Sequence, residues 1–168
     1  MKQLILVRHA KSSWANEQLR DIERPLNKRG LRNGPMMGSR LRQRGIQVDC
    51  VYSSPAVRAM HTAEMITAEL GVPSEQIRSL PALYTFNYEE LLGCVRSLDD
   101  NCQSAMLVCH NPAITDLTNF LALSHIANIP TTGLAILKIE HACWADVGAG
   151  SAELLEFDYP KRDLTETA

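Results

Sequence analysis

Cysteine is scarce and unorganised in this chain. Its five copies, Cys50, Cys94, Cys102, Cys109 and Cys143, are scattered, odd in number and free of any C-x-x-C pair. That excludes a disulfide framework and a structural zinc site, and it fits a reducing compartment. A large excess of either charge is lacking too. A net charge of −2 over 168 residues, with a pI of about 6.2, offers no broad basic surface to nucleic acid or to an anionic membrane. Basic residues do gather between Arg20 and Arg44, but "RLRQRG" from Arg40 reads as the solvated face of a helix rather than a binding patch. No apolar run approaches the roughly 20 residues of a membrane span. The run after Met1-Lys2 is about five residues, against roughly 7–15 in a signal-peptide core. Repeats, linkers and low-complexity segments are missing as well. What these absences leave is a soluble cytoplasmic protein with neither nucleic-acid nor membrane partners. It is expected to fold as one domain over residues 1–160, with a loosely held tail at 161–168.

What is present is an alternation of short aliphatic runs with longer helical patterns, the signature of α/β layering. The runs predict strands at Gln3–Val7, Asp49–Ser53, Gln76–Ser79, Ala105–Cys109, Gly133–Ile139 and Ala152–Asp158. Helices are expected at Lys28–Arg44, Pro55–Leu70, Tyr88–Leu98 and Pro112–Leu121. Ser54 before Pro55, and Asn111 before Pro112, read as N-caps followed by proline at the first helical position. Gly71, with Pro73 beyond it, reads as a helix stop. Gly34-Pro35 inside the first helix is expected to kink or divide it. The polar stretch Glu140–Ser151 reads as the turn of a hairpin.

Three strand ends carry the chemistry. The first run, Leu4-Ile5-Leu6-Val7, is apolar enough to be buried on both faces and ends abruptly in Arg8-His9. The second passes through "SSPAVRAMH", which sets Arg58 in the first turn of the next helix. The fourth, "AMLVCHNP", ends in His110 and again runs into a helix N-terminus. If these strands are parallel, two arginines, two histidines and two helix N-termini meet at one sheet edge, where open α/β sheets bind ligands. That combination describes an anion site, and the arginine forks favour phosphate. Taken singly, each residue has a plainer reading as a solvated arginine or a structural histidine, and His61, His125 and His141 are read that way. Asp99-Asp100 reads as a turn. Metal binding by His9 and His110 is disfavoured by the arginine beside them.

The ordered set "LVRHAKSSW", "DIERPLNKRG", "YSSPAVRAMHTAE" and "LVCHNP" resembles the histidine phosphatase superfamily, also called the phosphoglycerate mutase-like fold. More narrowly it is similar to the SixA-type phosphohistidine phosphatase branch. The resemblance runs from Leu4 to about Asp116. It implies a three-layer α/β/α sandwich with a mostly parallel sheet. It also implies that His9 is a nucleophile forming a phosphohistidine intermediate. Arg8, Arg58 and His110 match the family's phosphate pocket, which Arg24 joins in this branch, and Asn111 is carried over for its backbone N–H. No metal or organic cofactor is implied.

Two departures bear on substrate. Many family members place a glutamic acid beyond the third strand, where this chain has Leu83-Tyr84; Glu89 and Glu90 come later and read as the first turn of a helix. Asp21 is either a substitute acid or a partner orienting a pocket arginine. The chain also has no room for the long insertion that covers the site in mutases, so a shallow, open pocket is expected. The expected partner is a phosphohistidine-bearing protein. Alternatives are a small phosphorylated substrate for the same fold, or a non-catalytic phosphoprotein-binding module.

Overall fold

Successive side chains of a strand point to opposite faces, and the first strand uses both. In the computed structural model, which describes residues 1–162, Leu4 and Leu6 enter one apolar core while Ile5 and Val7 enter the other, all four fully buried. The strand, β1 (Lys2–Arg8), is followed by α1 (Lys28–Gln43), β2 (Cys50–Ser53), α2 (Val57–Glu69), β3 (Ile77–Ser79) and α3 (Tyr88–Arg96). The chain continues through β4 (Ser104–Cys109), α4 (Ala113–Ala122), β5 (Leu134–Ile139) and β6 (Ala152–Asp158). All ten expected elements form, with ends displaced by at most two residues.

The six strands make one sheet in the order β3-β2-β4-β1-β5-β6. The first four are mutually parallel, and β5 runs antiparallel to both its neighbours. Met37 and Leu41 of α1 and Ala59, Ala63 and Ile66 of α2 pack on one face. Leu91 and Val95 of α3 and Ile114, Leu117 and Leu121 of α4 pack on the other. The result is the three-layer α/β/α sandwich with a mostly parallel sheet. Burying each such aliphatic side chain contributes about 1.5–3 kcal/mol. The β5–β6 hairpin forms as expected, and its connection tucks Trp144 into the core, with the indole N–H donated to the Cys102 carbonyl at 2.9 Å. Among the described residues no helix is long and apolar enough to cross a membrane.

Three local expectations are corrected. Gly34-Pro35 does not divide α1, which runs unbroken through Pro35. The two glycines on this face let α1 lie directly on α2: a Cβ at Gly34 would stand 2.3 Å from Met65 Cε, and one at Gly38 would stand 3.0 Å from Glu69 Cβ. That close packing offsets the one backbone hydrogen bond the proline removes. Ser54 is not the α2 N-cap, because the helix begins later with Ala56 in that position. Likewise Pro112, not Asn111, occupies the N-cap position of α4, although the Asn111 side chain still accepts the Thr115 N–H at 3.2 Å. The stop at Gly71 holds: it adopts a φ of +74°, and Val72 N–H closes the helix on the Thr67 carbonyl at 2.9 Å.

"RLRQRG" is more than a solvated face. Arg40 and Arg44 reach across to the fully buried Asp158 at the end of β6, each at 2.9 Å, and Arg40 also donates to the Tyr159 carbonyl at 3.0 Å. Arg42, the most exposed of the three arginine side chains, pairs with Glu69 at 3.0 Å. Removing one partner of a buried ion pair strands the other, so Asp158→Ala is expected to cost about 3 kcal/mol. Urea unfolding checks this, the midpoint falling without a change in slope. Beyond Asp158, Arg162 donates to the Phe157 carbonyl at 2.7 Å, while residues 163–168 of the expected tail lie outside the described residues.

Candidate active site

The register between β1 and β4 sets Arg8 opposite Cys109. The next residue on each strand, His9 and His110, therefore leaves the sheet beside its counterpart, with ring centroids 5.2 Å apart. On the far side of β4, Ser53 of β2 stands opposite Val108, and the chain turns through Ser54-Pro55-Ala56 to bring Arg58 in from the start of α2. The parallel geometry thus gathers what the strand ends promised. Arg8, His9, Asp21, Arg24, Arg58, His110 and Asn111 all line one cavity of about 470 Å³.

His9 is held by its backbone and its ring. Its N–H donates to the Cys109 carbonyl at 3.1 Å, and its carbonyl accepts the Thr132 N–H at 3.1 Å. The ring Nδ1–H donates to the Ala10 carbonyl at 2.8 Å, and the Ala10 N–H donates to the Thr62 hydroxyl at 2.9 Å. With its proton on Nδ1, the imidazole presents the Nε2 lone pair to the cavity, 3.4 Å from Arg58 Nε. Burial lowers the His9 pKa to about 4; the Arg58, Arg8 and Arg24 charges act in the same direction, and the Ala10 hydrogen bond opposes them. His110 is lowered to about 3, again by burial first, then by His9 and Arg58. Its Nδ1 meets Arg58 Nη2 at 3.4 Å, and since a guanidinium only donates, the ring proton belongs on Nε2, which lies 2.7 Å from the Ser54 hydroxyl. Both imidazoles are neutral near pH 7. In an NMR titration of the free protein, the His9 ring resonances are expected to move with a midpoint about 4 rather than 6.5. The unfolded chain binds the proton first, so this group withdraws stability as pH falls from about 6.5 toward 4.

The arginines are aimed by hydrogen bonds. Arg58 is almost fully buried, and its Nη1 and Nη2 donate to the Asp21 carbonyl and carboxylate at 2.7 and 2.9 Å. Its other edge, Nε and Nη2, is left facing the gap between the two histidines. Arg8 Nη1 donates to the Ile129 carbonyl at 2.9 Å, and its buried Nε has no partner among the described residues, a donor suited to an anion. Arg24 spends its fork on Asp21 Oδ1 at 3.2 Å and on the Ser12 hydroxyl at 2.7 Å. Asp21 accepts from both arginines and from the Tyr84 hydroxyl. Burial pushes its pKa up, but the Tyr84 hydroxyl and the two guanidiniums outweigh that and hold it at about 2. Asp21 is therefore an ionised carboxylate.

The segment "RPLNKRG" acquires a structural account. Leu26 bridges to Ser12, Asn27 caps α1 by accepting the Gly30 N–H at 2.9 Å, and a Cβ at Gly30 would stand 2.3 Å from the Lys11 carbonyl oxygen. The loop after β1 is thereby clamped to the start of α1, with Lys11, Ser12 and Trp14 at the cavity wall. Phe86, Thr131 and Ser54 have no place in the site on sequence alone. Tyr84 enters only as an aligned position, and the loop Lys11-Ser12-Ser13-Trp14 only as either a lip for substrate or a cover over the sheet edge. Tyr84 and Phe86 follow β3 outside any helix or strand, with no periodicity to mark them. Glu89 and Glu90 do open α3 as expected, and Glu90 accepts from the Thr85 hydroxyl at 2.5 Å. Among the described residues no group of three or more His, Cys, Asp or Glu is arranged to hold a metal ion.

Comparison with known proteins supplies context for this arrangement. Residues 4–105 match the histidine phosphatase superfamily (branch 1). An uncharacterized protein of Mycobacterium tuberculosis is 31% identical over 165 residues, spanning 92% of this chain and all of that protein. A protein assigned as the phosphohistidine phosphatase SixA of Agrobacterium tumefaciens superposes with a TM-score of 0.78 at 25% identity, over 95% of this chain and 98% of that one. One with the same assignment from Nakamurella multipartita gives 0.78 at 27%, over 96% and 97%.

Proposed function

Because the chain belongs to the histidine phosphatase superfamily and to its SixA-like branch, we propose that it is a phosphohistidine phosphatase acting on histidine-phosphorylated proteins in the cytoplasm. The observation that carries this reading is a neutral His9 whose Nε2 lone pair faces the edge of Arg58 and the ring of His110. A phosphoryl group seated there is attacked in line by Nε2. The N–P bond to His9 forms as the bond to the leaving group breaks, and water then cleaves the N–P bond to give inorganic phosphate and free His9. Arg8, Arg58 and His110 stabilise the charge on the equatorial oxygens, the principal means of catalysis in phosphoryl transfer. Arg24 and Asp21 hold that frame, and Asn111 lines its helix side.

The leaving group follows from what the cavity offers as acid. Asp21, the one carboxylate among the described residues that line it, is ionised near pH 7. Tyr84 falls at the sequence position where the family's glutamic acid is expected, but its hydroxyl proton is committed to Asp21 and its pKa is raised by burial and by that carboxylate. An alkoxide, with a conjugate acid near the pKa of water at about 15.7, leaves poorly without a proton. Imidazole that carries a proton on its far nitrogen leaves as the neutral base, whose conjugate acid has a pKa of about 6.5, and so leaves far more easily. General acid catalysis contributes 10²–10⁴-fold where it operates. Purified protein is thus expected to cleave a phosphohistidine protein or phosphoramidate with kcat/KM on the order of 10²-fold or more above that for a sugar phosphate. Higher efficiency on the sugar phosphate would assign the site to small esters instead. A purely binding module is disfavoured because recognition needs arginines and amides but no nucleophile beside them.

A further inference from the structure

Aromatic residues are few in this chain: two tryptophans, four tyrosines and three phenylalanines. Among the large hydrophobic side chains left exposed, two are aromatic, Trp14 at 71% and Phe86 at 52%, and both line the cavity of His9 and His110. They come from loops over sixty residues apart, one after β1 and one after β3, so no shared local sequence feature brings them together.

Each ring is held by the phosphate site itself. The Trp14 indole lies over the Arg24 guanidinium, 3.5 Å from ring centroid to the central carbon, which leaves its other face open. The Phe86 ring stands 5.8 Å from the His110 ring and 5.9 Å edge-on from Tyr84, and Tyr84 in turn meets His110 at 5.2 Å. Aromatic surface kept exposed beside a polar, cationic floor pairs well with a flat ring carried by the phosphoryl group.

We propose that Phe86 and Trp14 form a subsite for a planar ring bonded directly to the transferred phosphoryl group, such as the imidazole of phosphohistidine or the ring of an aryl phosphate. The subsite rests on the reading of His9 as nucleophile, since it fixes which side of the phosphorus the ring occupies. Offset or edge contacts between rings are worth about 0.5–1.5 kcal/mol beyond area, which corresponds to roughly two- to tenfold in rate per ring. Phe86 and Trp14 contact the leaving group and take no part in bond breaking, so their effect falls on discrimination.

The test measures kcat/KM for phosphoimidazole, phenyl phosphate and a phosphohistidine protein against ring-free comparators. Hexafluoroisopropyl phosphate, its leaving-group acidity close to that of phenol, serves the ester arm and phosphoramidate the nitrogen arm, each variant being compared with wild type on the same substrate. The ratio of ring to ring-free substrates is expected to fall two- to tenfold in Phe86→Ala and to recover in Phe86→Tyr. Phe86→Leu, which keeps apolar bulk without a ring, is expected to behave like the alanine variant, as is Trp14→Ala after allowance for any equal loss on both substrates through Arg24. Equal losses on ring and ring-free substrates, or none, overturn the proposal. So does a loss confined to phosphohistidine proteins, which would make the two rings a docking surface for the protein beyond its histidine. A fall confined to one arm tells which ring chemistry the subsite serves and still supports it. Failure of the underlying reading looks different: His9→Ala would then retain turnover on every substrate.

Discussion

His9→Ala is expected to lower kcat/KM by on the order of 10⁴-fold or more and to abolish any phosphoryl group trapped on the protein during turnover. Removing a covalent nucleophile eliminates the split of one difficult step into two easier ones, and knockouts of comparable nucleophiles cost on this scale or above. The ring donates one hydrogen bond to the Ala10 carbonyl, accepts one from Arg58 Nε and otherwise faces the cavity, so its loss removes chemistry rather than a packing element. Rapid quenching with labelled substrate checks both halves. Wild type should carry acid-labile, base-stable label at residue 9, and the variant none. Turnover that survives the substitution would dismiss His9 as the attacking group. Direct attack by water, with the arginines and His110 merely holding phosphate, would then be the mechanism.

Arg58→Lys is expected to lower kcat by on the order of 10³-fold while raising KM far less. Loss of one preorganised donor to a developing oxyanion costs about 10²–10³-fold, and here the substitution removes more than one donor. Arg58 uses one edge to grip the main chain and carboxylate of Asp21 and the other to face His9 and His110. A lysine keeps the charge but has no fork, so it can serve one edge only. It also leaves Asp21 with one fewer guanidinium, and the carboxylate is then free to draw Arg24 out of line. Steady-state kinetics decide the point, and a rise in KM with kcat unchanged would show that Arg58 binds ground and transition states equally.

Much of this site could be read from strand ends, and the reason is geometric. An aliphatic run must end somewhere, and parallel strands all end at the same edge, so Arg8-His9, Arg58 and His110 were bound to converge once β1, β2 and β4 proved parallel neighbours. Contacts made through side chains from irregular segments left no such trace. Tyr84 and Phe86 have no periodic neighbours, and Asp21 sits in a single 3-10 turn whose partner lies 37 residues away. Ser54 had every local mark of a helix cap, yet its hydroxyl faces His110, a tertiary partner that outweighs the local one. Arg40 looked solvated for the same reason: Asp158 is 118 residues distant and invisible to any window on α1. The unbroken α1 belongs to this group too, since only the position of Met65 explains why Gly34-Pro35 is tolerated.

The position of β1 in the sheet also governs when the protein can begin to work. It precedes the other strands of this sheet and lies inside it, yet its neighbours are β4, joined from Gln3 to Ser104 onward, and β5, joined from Lys2 to Ile139. Both arrive about a hundred residues or more after it. Closing such separations before their contacts reward it places folding among the slower, non-local topologies. During synthesis the apolar β1 therefore waits unpaired, and the edge that seats His9 beside His110 does not exist until Ser104–Cys109 has emerged and docked. Catalytic competence in this chain is a late and cooperative event, created by long-range closure rather than by any segment on its own.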